Sequence, residues 1–252
     1  MKFIRFEHKG KALMGVLSGT TIHEVCGDMF CEPQKTGRTY ELSGVKLLVP
    51  CQPQKVFVIG LNYLSHIAEG KHSVPSEPVV LLKAPSALIA HGEQIVVAHP
   101  EHETHYEGEL AVIIGKRAKR VKRDDAHKHI FGYTCANDVS DRVVQRQDPR
   151  WMRAKSFDTY CPLGPVVETD ADPRELVLIT RQNGETKQHH SCSDMVFDVP
   201  TLIEFISAEI TLLPGDVILT GTPGGVGPVK PGDVIEVSID GIGTLKNSVT
   251  VA

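Results

Sequence analysis

Glu107-Gly108-Glu109-Leu110-Ala111-Val112-Ile113-Ile114 places two carboxylates at the head of an unbroken apolar run. Such a run reads as a buried strand, where charge is costly. Side chains on a strand alternate faces, so Glu107 and Glu109 point the same way, with Cα atoms about 6.5 Å apart. In an apolar setting the two charges repel, and their pKa values rise unless a cation or strong donors hold them ionised. A divalent metal answers that need. Asp138, in Ala136-Asn137-Asp138-Val139-Ser140 after the apolar Ile130-Phe131-Gly132-Tyr133, offers a third carboxylate. An all-oxygen set of this kind favours Mg²⁺ or Mn²⁺ over zinc. The competing reading is a solvated strand edge whose glutamates pair with lysines, and Glu-x-Glu alone does not decide between the two.

Strand-like runs recur on both sides of this segment: Lys55–Gly60, Val79–Leu82, Ile95–Val97, Val177–Thr180, Val217–Thr220 and Val234–Val237. Helical periodicity is local. Asp198–Ile206 carries proline near its start, with Leu202, Phe205 and Ile206 on one face. A short helix is expected after Asp138, with Arg142 and Gln145 on one side at i, i+3 spacing. Because strands outnumber helices and do not alternate with them, the chain is not doubly wound. The first fifty residues alternate short apolar stretches with turn signals, as a small β meander does, and Pro50 and Pro53 mark a connection near residue 52. The expected fold is α+β and strand-rich, with a small N-terminal β domain (1–52) and a larger domain (53–252).

At 252 residues the chain can bury a substantial core. Its apolar share of 41% and charged share of 23% are those of a globular protein, and no apolar stretch nears the ~20 residues of a membrane span. Charges in Met1–Gly10 sit where a secretory leader would be apolar. Six scattered cysteines without a Cys-x-x-Cys pair read as reduced thiols, so a cytoplasmic setting is expected. Net charge is −4, which attracts no nucleic acid. The basic run Lys116–Arg123 lacks interleaved aromatics for base stacking and reads as a solvated connection.

Several smaller constellations bear on chemistry. Asn62–Gly70 reads as a loop entering a helical turn in which His66 and Glu69 are i, i+3 neighbours. A carboxylate beside an imidazole fixes its tautomer and raises its basicity, as proton abstraction requires, although surface His/Glu pairs are also common. Lys155, in Arg153–Asp158, can bring positive charge to the carboxylates, or can simply be solvated. Thr220-Gly221-Thr222-Pro223-Gly224-Gly225-Val226-Gly227 follows an apolar strand and can offer N–H groups and the Thr222 hydroxyl to an anion. It is neither a Walker A loop nor a dinucleotide fingerprint, and a plain tight turn is its competing reading. His99, His102 and His105 invite a zinc reading, but the spacing is not His-Glu-x-x-His, and zinc is not the expectation.

In order along the chain, Gly60-Leu61-Asn62-Tyr63 with His66 and Glu69, Leu82-Lys83-Ala84-Pro85-Ser86, His105-Tyr106-Glu107-Gly108-Glu109-Leu110, Asn137-Asp138-Val139-Ser140, Ala154-Lys155-Ser156-Phe157-Asp158 and Thr220-Gly221-Thr222-Pro223 resemble the fumarylacetoacetate hydrolase family over roughly residues 55–250. The resemblance implies a mixed β-sheet roll or barrel-like catalytic domain that usually forms a homodimer. It also implies Mg²⁺ or Mn²⁺ on Glu107, Glu109 and Asp138, with Lys155 beside them and a 2-oxo or β-diketo acid as substrate. In the expected reaction, hydrolysis of an acylpyruvate-type C–C bond, His66 oriented by Glu69 activates water, Lys155 helps stabilise the enolate, Arg142 and Gln145 hold the polar tail, and Thr222 holds a carboxylate. The alternative within the family is isomerisation or decarboxylation of 2-hydroxyhepta-2,4-diene-1,7-dioate-type diacids in aromatic catabolism. Leu61 and the Leu82–Pro85 segment look like that branch, whereas Ala154–Asp158 followed by Cys161-Pro162 looks like the acylpyruvase branch. A catalytically silent acid-binding protein on the same scaffold would be expected to lose His66 and Glu69.

Overall fold

Residues 1–251 are described by a computed structural model. Its backbone is a long mixed sheet that carries the site at its centre. Along the sheet the strands run Gln34–Glu41, Thr21–Cys26, Lys11–Ser18, Lys2–His8, Cys161–Glu168, Ile130–Asn137, Gly108–Ile114, Val217–Leu219, Val56–Gly60 and Val79–Lys83. Neighbours are antiparallel except Val217–Leu219 with Val56–Gly60, which run parallel. Gly108–Ile114 is buried along its whole length because it lies between Ile130–Asn137 and Val217–Leu219 and is packed on both faces. A continuous apolar run suits that position.

A five-stranded sheet, ordered Glu185–Ser191, Val177–Gln182, Val234–Ile239, Gly243–Val251 and Ile95–Val97, packs against the first. Ser140–Asp141, Thr104–Tyr106 and Gly227–Pro228 form a small third sheet beside the site. The N-terminal meander continues the main sheet, since Lys2 and Phe3 pair with Glu168 and Val167.

Four α-helices occur among the described residues, beside short 3-10 turns: α1 (Leu64–Glu69), α2 (Arg142–Gln147), α3 (Met152–Lys155) and α4 (Val199–Glu209). Asp198 caps α4 by accepting from Thr201 N at 3.0 Å. The buried stripe of α4 is Val199, Leu202, Ile203 and Ile206, and Phe205, expected on that face, is 38% exposed. The i, i+3, i+4, i+7 spacing that starts from Val199 passes it by. The basic run docks onto the same helix: Lys119 Nζ donates to Glu209 O at 2.7 Å and Arg123 pairs with Asp198. These bonds satisfy last-turn carbonyls and the first-turn cap, which accounts for the run without any anion. All six cysteines are free. Burial pushes the Cys51, Cys135, Cys161 and Cys192 thiols up to about 12, so none of these four is a nucleophile at neutral pH. No helix among the described residues is long and apolar enough to cross a membrane.

Candidate active site

The carboxylates meet as expected, with one local difference. The strand begins at Gly108, and Glu107 lies in the break after Thr104–Tyr106. There the Asn137-Asp138 turn holds its backbone from both sides: Asn137 Oδ1 accepts from Glu107 N at 2.9 Å, and Asp138 N donates to Glu107 O at 2.8 Å. Oxygens of Glu107, Glu109 and Asp138 all lie within 4.8 Å of one another, and all three residues are buried. Gly108 is required by a close approach. A Cβ there would stand 2.0 Å from Thr180 Oγ1 and 3.0 Å from Gln188 Oε1, and Gln188 Oε1 accepts from Gly108 N at 3.1 Å.

Cations surround the cluster. Lys155, delivered by α3, donates to Glu107 Oε2 at 2.9 Å, to Ser140 Oγ at 2.9 Å and to Asp138 Oδ2. Arg142 Nη2 stands 2.6 Å from Glu107 Oε1, at an angle poor for a hydrogen bond, while its Nη1 donates to Gln145 Oε1 at 2.7 Å. Lys83 ends the strand Val79–Lys83 fully buried against Asp138 Oδ1. Three carboxylates thus face three cationic side chains.

The electrostatics are uneven. Burial opposes charge on Glu107, but Lys155, Arg142 and His66 outweigh it and hold Glu107 well below the usual carboxylate range. Burial, reinforced by Asp138 and Glu107, pushes Glu109 well above its ordinary value. The polar contact made by Glu109 is from Gly221 N, at 2.7 Å. A buried carboxylate without a cation of its own, beside two others in an all-oxygen set, is the donor chemistry of a hard divalent ion. The residues present therefore fit Mg²⁺ or Mn²⁺.

Above this floor opens a cavity of about 430 Å³, lined by His66, Glu69, Glu107, Glu109, Arg142, Gln145, Lys155 and Thr222. Asp138 lies beneath its lining, fully buried. At the mouth, His66 Nδ1 is 3.5 Å from Glu69 Oε2. Glu69 accepts from Gly225 N at 3.2 Å and Ser65 Oγ from Gly224 N at 3.0 Å, so the glycine-rich loop holds α1 in place. Gly225 has φ +95°, and a Cβ there would meet Lys187 O at 2.1 Å. The Thr222 hydroxyl, expected to face an anion, is already engaged: it donates to Gly108 O at 2.9 Å and accepts from Gln188 Nε2 at 2.8 Å. Arg142 is likewise partnered by Gln145 and Glu107 rather than free in the cavity.

Three contributors escape a reading of spacing. Lys83 closes an apolar strand and gives no sign of aiming at Asp138. Trp151 lines the cavity from a left-handed backbone position, φ +57°. His105 also lines it, with Nε2 2.8 Å from Glu103 Oε1; burial, aided by Arg142, lowers its pKa. His99 and His102, which precede it, were visible in the sequence with it, but the turn of His105 away toward Glu103 was not.

Comparison with known proteins agrees with this geometry. Residues 55–250 match the family described as fumarylacetoacetate (FAA) hydrolase, C-terminal, and residues 1–50 match one described as Rv2993c-like, N-terminal. The chain belongs to the fumarylacetoacetate hydrolase family. It is 43% identical over 226 residues to the oxaloacetate tautomerase YisK of Bacillus subtilis (strain 168), covering 83% of this chain and 75% of that one. The structure of a 5-carboxymethyl-2-hydroxymuconate delta-isomerase from Mycobacterium smegmatis is similar with a TM-score of 0.94 at 41% identity, over the full length of both chains. Maleylpyruvate hydrolase from Sphingobium sp. SYK-6, solved with manganese(II) and pyruvate, is similar with a TM-score of 0.84 at 30% identity, also over the full length of both. The chain is thus an enzyme of a family with both isomerase and hydrolase members.

Proposed function

We propose that this protein is a divalent-metal-dependent tautomerase or isomerase of 2-oxo dicarboxylic acids, moving a proton between the carbon beside the 2-oxo group and the enol oxygen. The observation that carries this reading is the charge balance of the floor. With Glu109 ionised, as metal binding requires, three buried carboxylates and three cationic side chains offset one another, so a divalent ion leaves two positive charges in excess, which a dicarboxylate cancels. Relatives that share 41–43% identity and whose names state an activity include oxaloacetate tautomerases and an isomerase.

Glu107, Glu109 and Asp138 would hold the ion, Mg²⁺ or Mn²⁺, which when bound supplies Lewis-acid polarisation of the 2-oxo group. Lys155 keeps an ammonium within reach of the same oxygen-rich floor, where negative charge develops during enolisation. Arg142 and Gln145, which pair with each other at 2.7 Å, orient the substrate's carboxylate from α2 by exchanging that contact for the substrate. Glu69 fixes the Nδ1–H tautomer of His66 and leaves Nε2 as the base. His66 accepts the proton from the carbon beside the 2-oxo group and returns it to the enol oxygen.

Hydrolysis, the sequence expectation, keeps one specific support: the Ala154–Asp158 segment that delivers Lys155 looks like the acylpyruvase branch. One experiment separates the two. The protein is incubated with Mg²⁺ or with EDTA, against enolic oxaloacetate followed by ultraviolet absorbance and against acylpyruvates followed by mass spectrometry of pyruvate. Metal-dependent loss of the enol with acylpyruvates intact supports the tautomerase. Metal-dependent pyruvate release with enol decay at the enzyme-free rate replaces it with the hydrolase.

A further inference from the structure

We propose a second metal site, built for a borderline transition ion such as Zn²⁺, on the turn His99-Pro100-Glu101-His102, with His99, Glu101 and His102 as protein ligands. The turn is closed by His102 N donating to His99 O at 2.9 Å, with proline at the position that favours such a turn. Closure brings the two imidazoles together, their ring centroids 4.7 Å apart. The Phe157 ring meets His99 edge-on at 5.3 Å and steadies it.

The nitrogens are oriented for ligation. His102 Nδ1 is 2.7 Å from Asp141 Oδ2, a carboxylate that is fully buried and also caps α2. A carboxylate takes the imidazole N–H, so His102 Nε2 is left with its lone pair outward. This carboxylate–imidazole pairing is the usual support behind a metal-bound histidine. His102 Nε2 and His99 Nδ1 both lie 3.8 Å from the same oxygen, Glu101 Oε1. Candidate ligand atoms of the three residues all lie within 4.8 Å of one another, against about 3.4 Å between ligand atoms around a four-coordinate zinc, so rotation of these side chains by about 1 Å closes the set. Two imidazoles and one carboxylate select zinc-like ions over Mg²⁺ and leave a fourth position for water. The set differs from the three histidines visible in the sequence: His105 turns to Glu103, and Glu101 takes its place.

The test uses the full chain pre-saturated with Mg²⁺, so that the Glu107–Glu109–Asp138 cluster is filled. Zn²⁺ is titrated by calorimetry, and Co²⁺ by its visible spectrum, in wild type, His99→Ala and Glu101→Gln. The proposal predicts one equivalent of Zn²⁺ beyond the Mg²⁺ site, intense four-coordinate Co²⁺ bands, and affinity at least about tenfold weaker in both variants. Their Mg²⁺-dependent turnover should equal wild type, because neither residue lies in the cavity. The proposal is overturned if wild type takes up no zinc equivalent that both variants lose or weaken, since zinc that displaces Mg²⁺ from the carboxylate cluster is common to all three proteins. Both results are independent of which reaction the cavity catalyses.

Discussion

The floor and the mouth of the cavity are built on opposite principles. On the floor, Glu107, Glu109, Asp138, Lys83 and Lys155 are almost wholly buried and tied to one another and to the backbone of two paired strands. At the mouth, the His66 and Glu69 side chains are 18% and 42% exposed, on a six-residue helix held by two backbone donors of a glycine-rich loop. Buried charges cannot be removed singly without stranding a partner. Exposed ones can, at little cost to stability. Floor residues should therefore be inseparable from folding and metal binding, and mouth residues should be separable from both.

The largest effect is expected at Asp138. Asp138→Asn leaves Lys83 and Lys155 without their shared counter-charge, and should lower unfolding free energy by about 3–5 kcal/mol in urea titrations while abolishing Mn²⁺ binding by electron paramagnetic resonance. A variant of wild-type stability would break the contrast. His66→Ala should instead reduce turnover about 10²–10⁴-fold with metal affinity and melting temperature unchanged. Gly108→Ala drives a Cβ into Thr180 and should cost about 1–3 kcal/mol, together with a fall in metal affinity as both glutamates shift.

The smallest expected effect is on pH dependence, measured in metal-free protein. The pKa of Glu109 is raised from 4.5, so above pH 4.5 the folded state holds a proton that the unfolded chain has lost, and stability falls as pH rises toward the raised value. The pKa of Glu107 is lowered from 4.5, so its contribution is present above pH 4.5 and is lost only as pH falls toward the lowered value. Saturating Mg²⁺ or Glu109→Gln should flatten the first limb, and Mg²⁺ affinity should rise with pH as Glu109 gives up its proton. A rising first limb in unfolding midpoints would contradict the assignment.

Much of the floor was legible, because a continuous apolar strand headed by carboxylates has few physical explanations. Period and burial carried Glu109 through to the structure, and the i, i+3 spacing placed Arg142 and Gln145 together on α2. Lys83 was not legible, since strand alternation gives a side chain's face but not the residue waiting across the sheet. The engagement of Thr222 with Gly108 and Gln188 was hidden for the same reason: Gln188 arrives from 34 residues upstream through the second sheet. Leu202 and Ile206 of α4 were placed and Phe205 misplaced, because two helical faces fit the same apolar residues until Val199 fixes the stripe.

The most direct measurement is solvent deuterium exchange at the carbon beside the 2-oxo group, followed by NMR in D₂O with Mg²⁺, for wild type and His66→Ala. The account predicts metal-dependent exchange well above a metal-only control in wild type, lost with EDTA and lost in His66→Ala although that variant still binds the metal. Exchange that persists without His66, or wild-type exchange no faster than the control, would contradict the division between a floor that holds charge and a mouth that moves the proton.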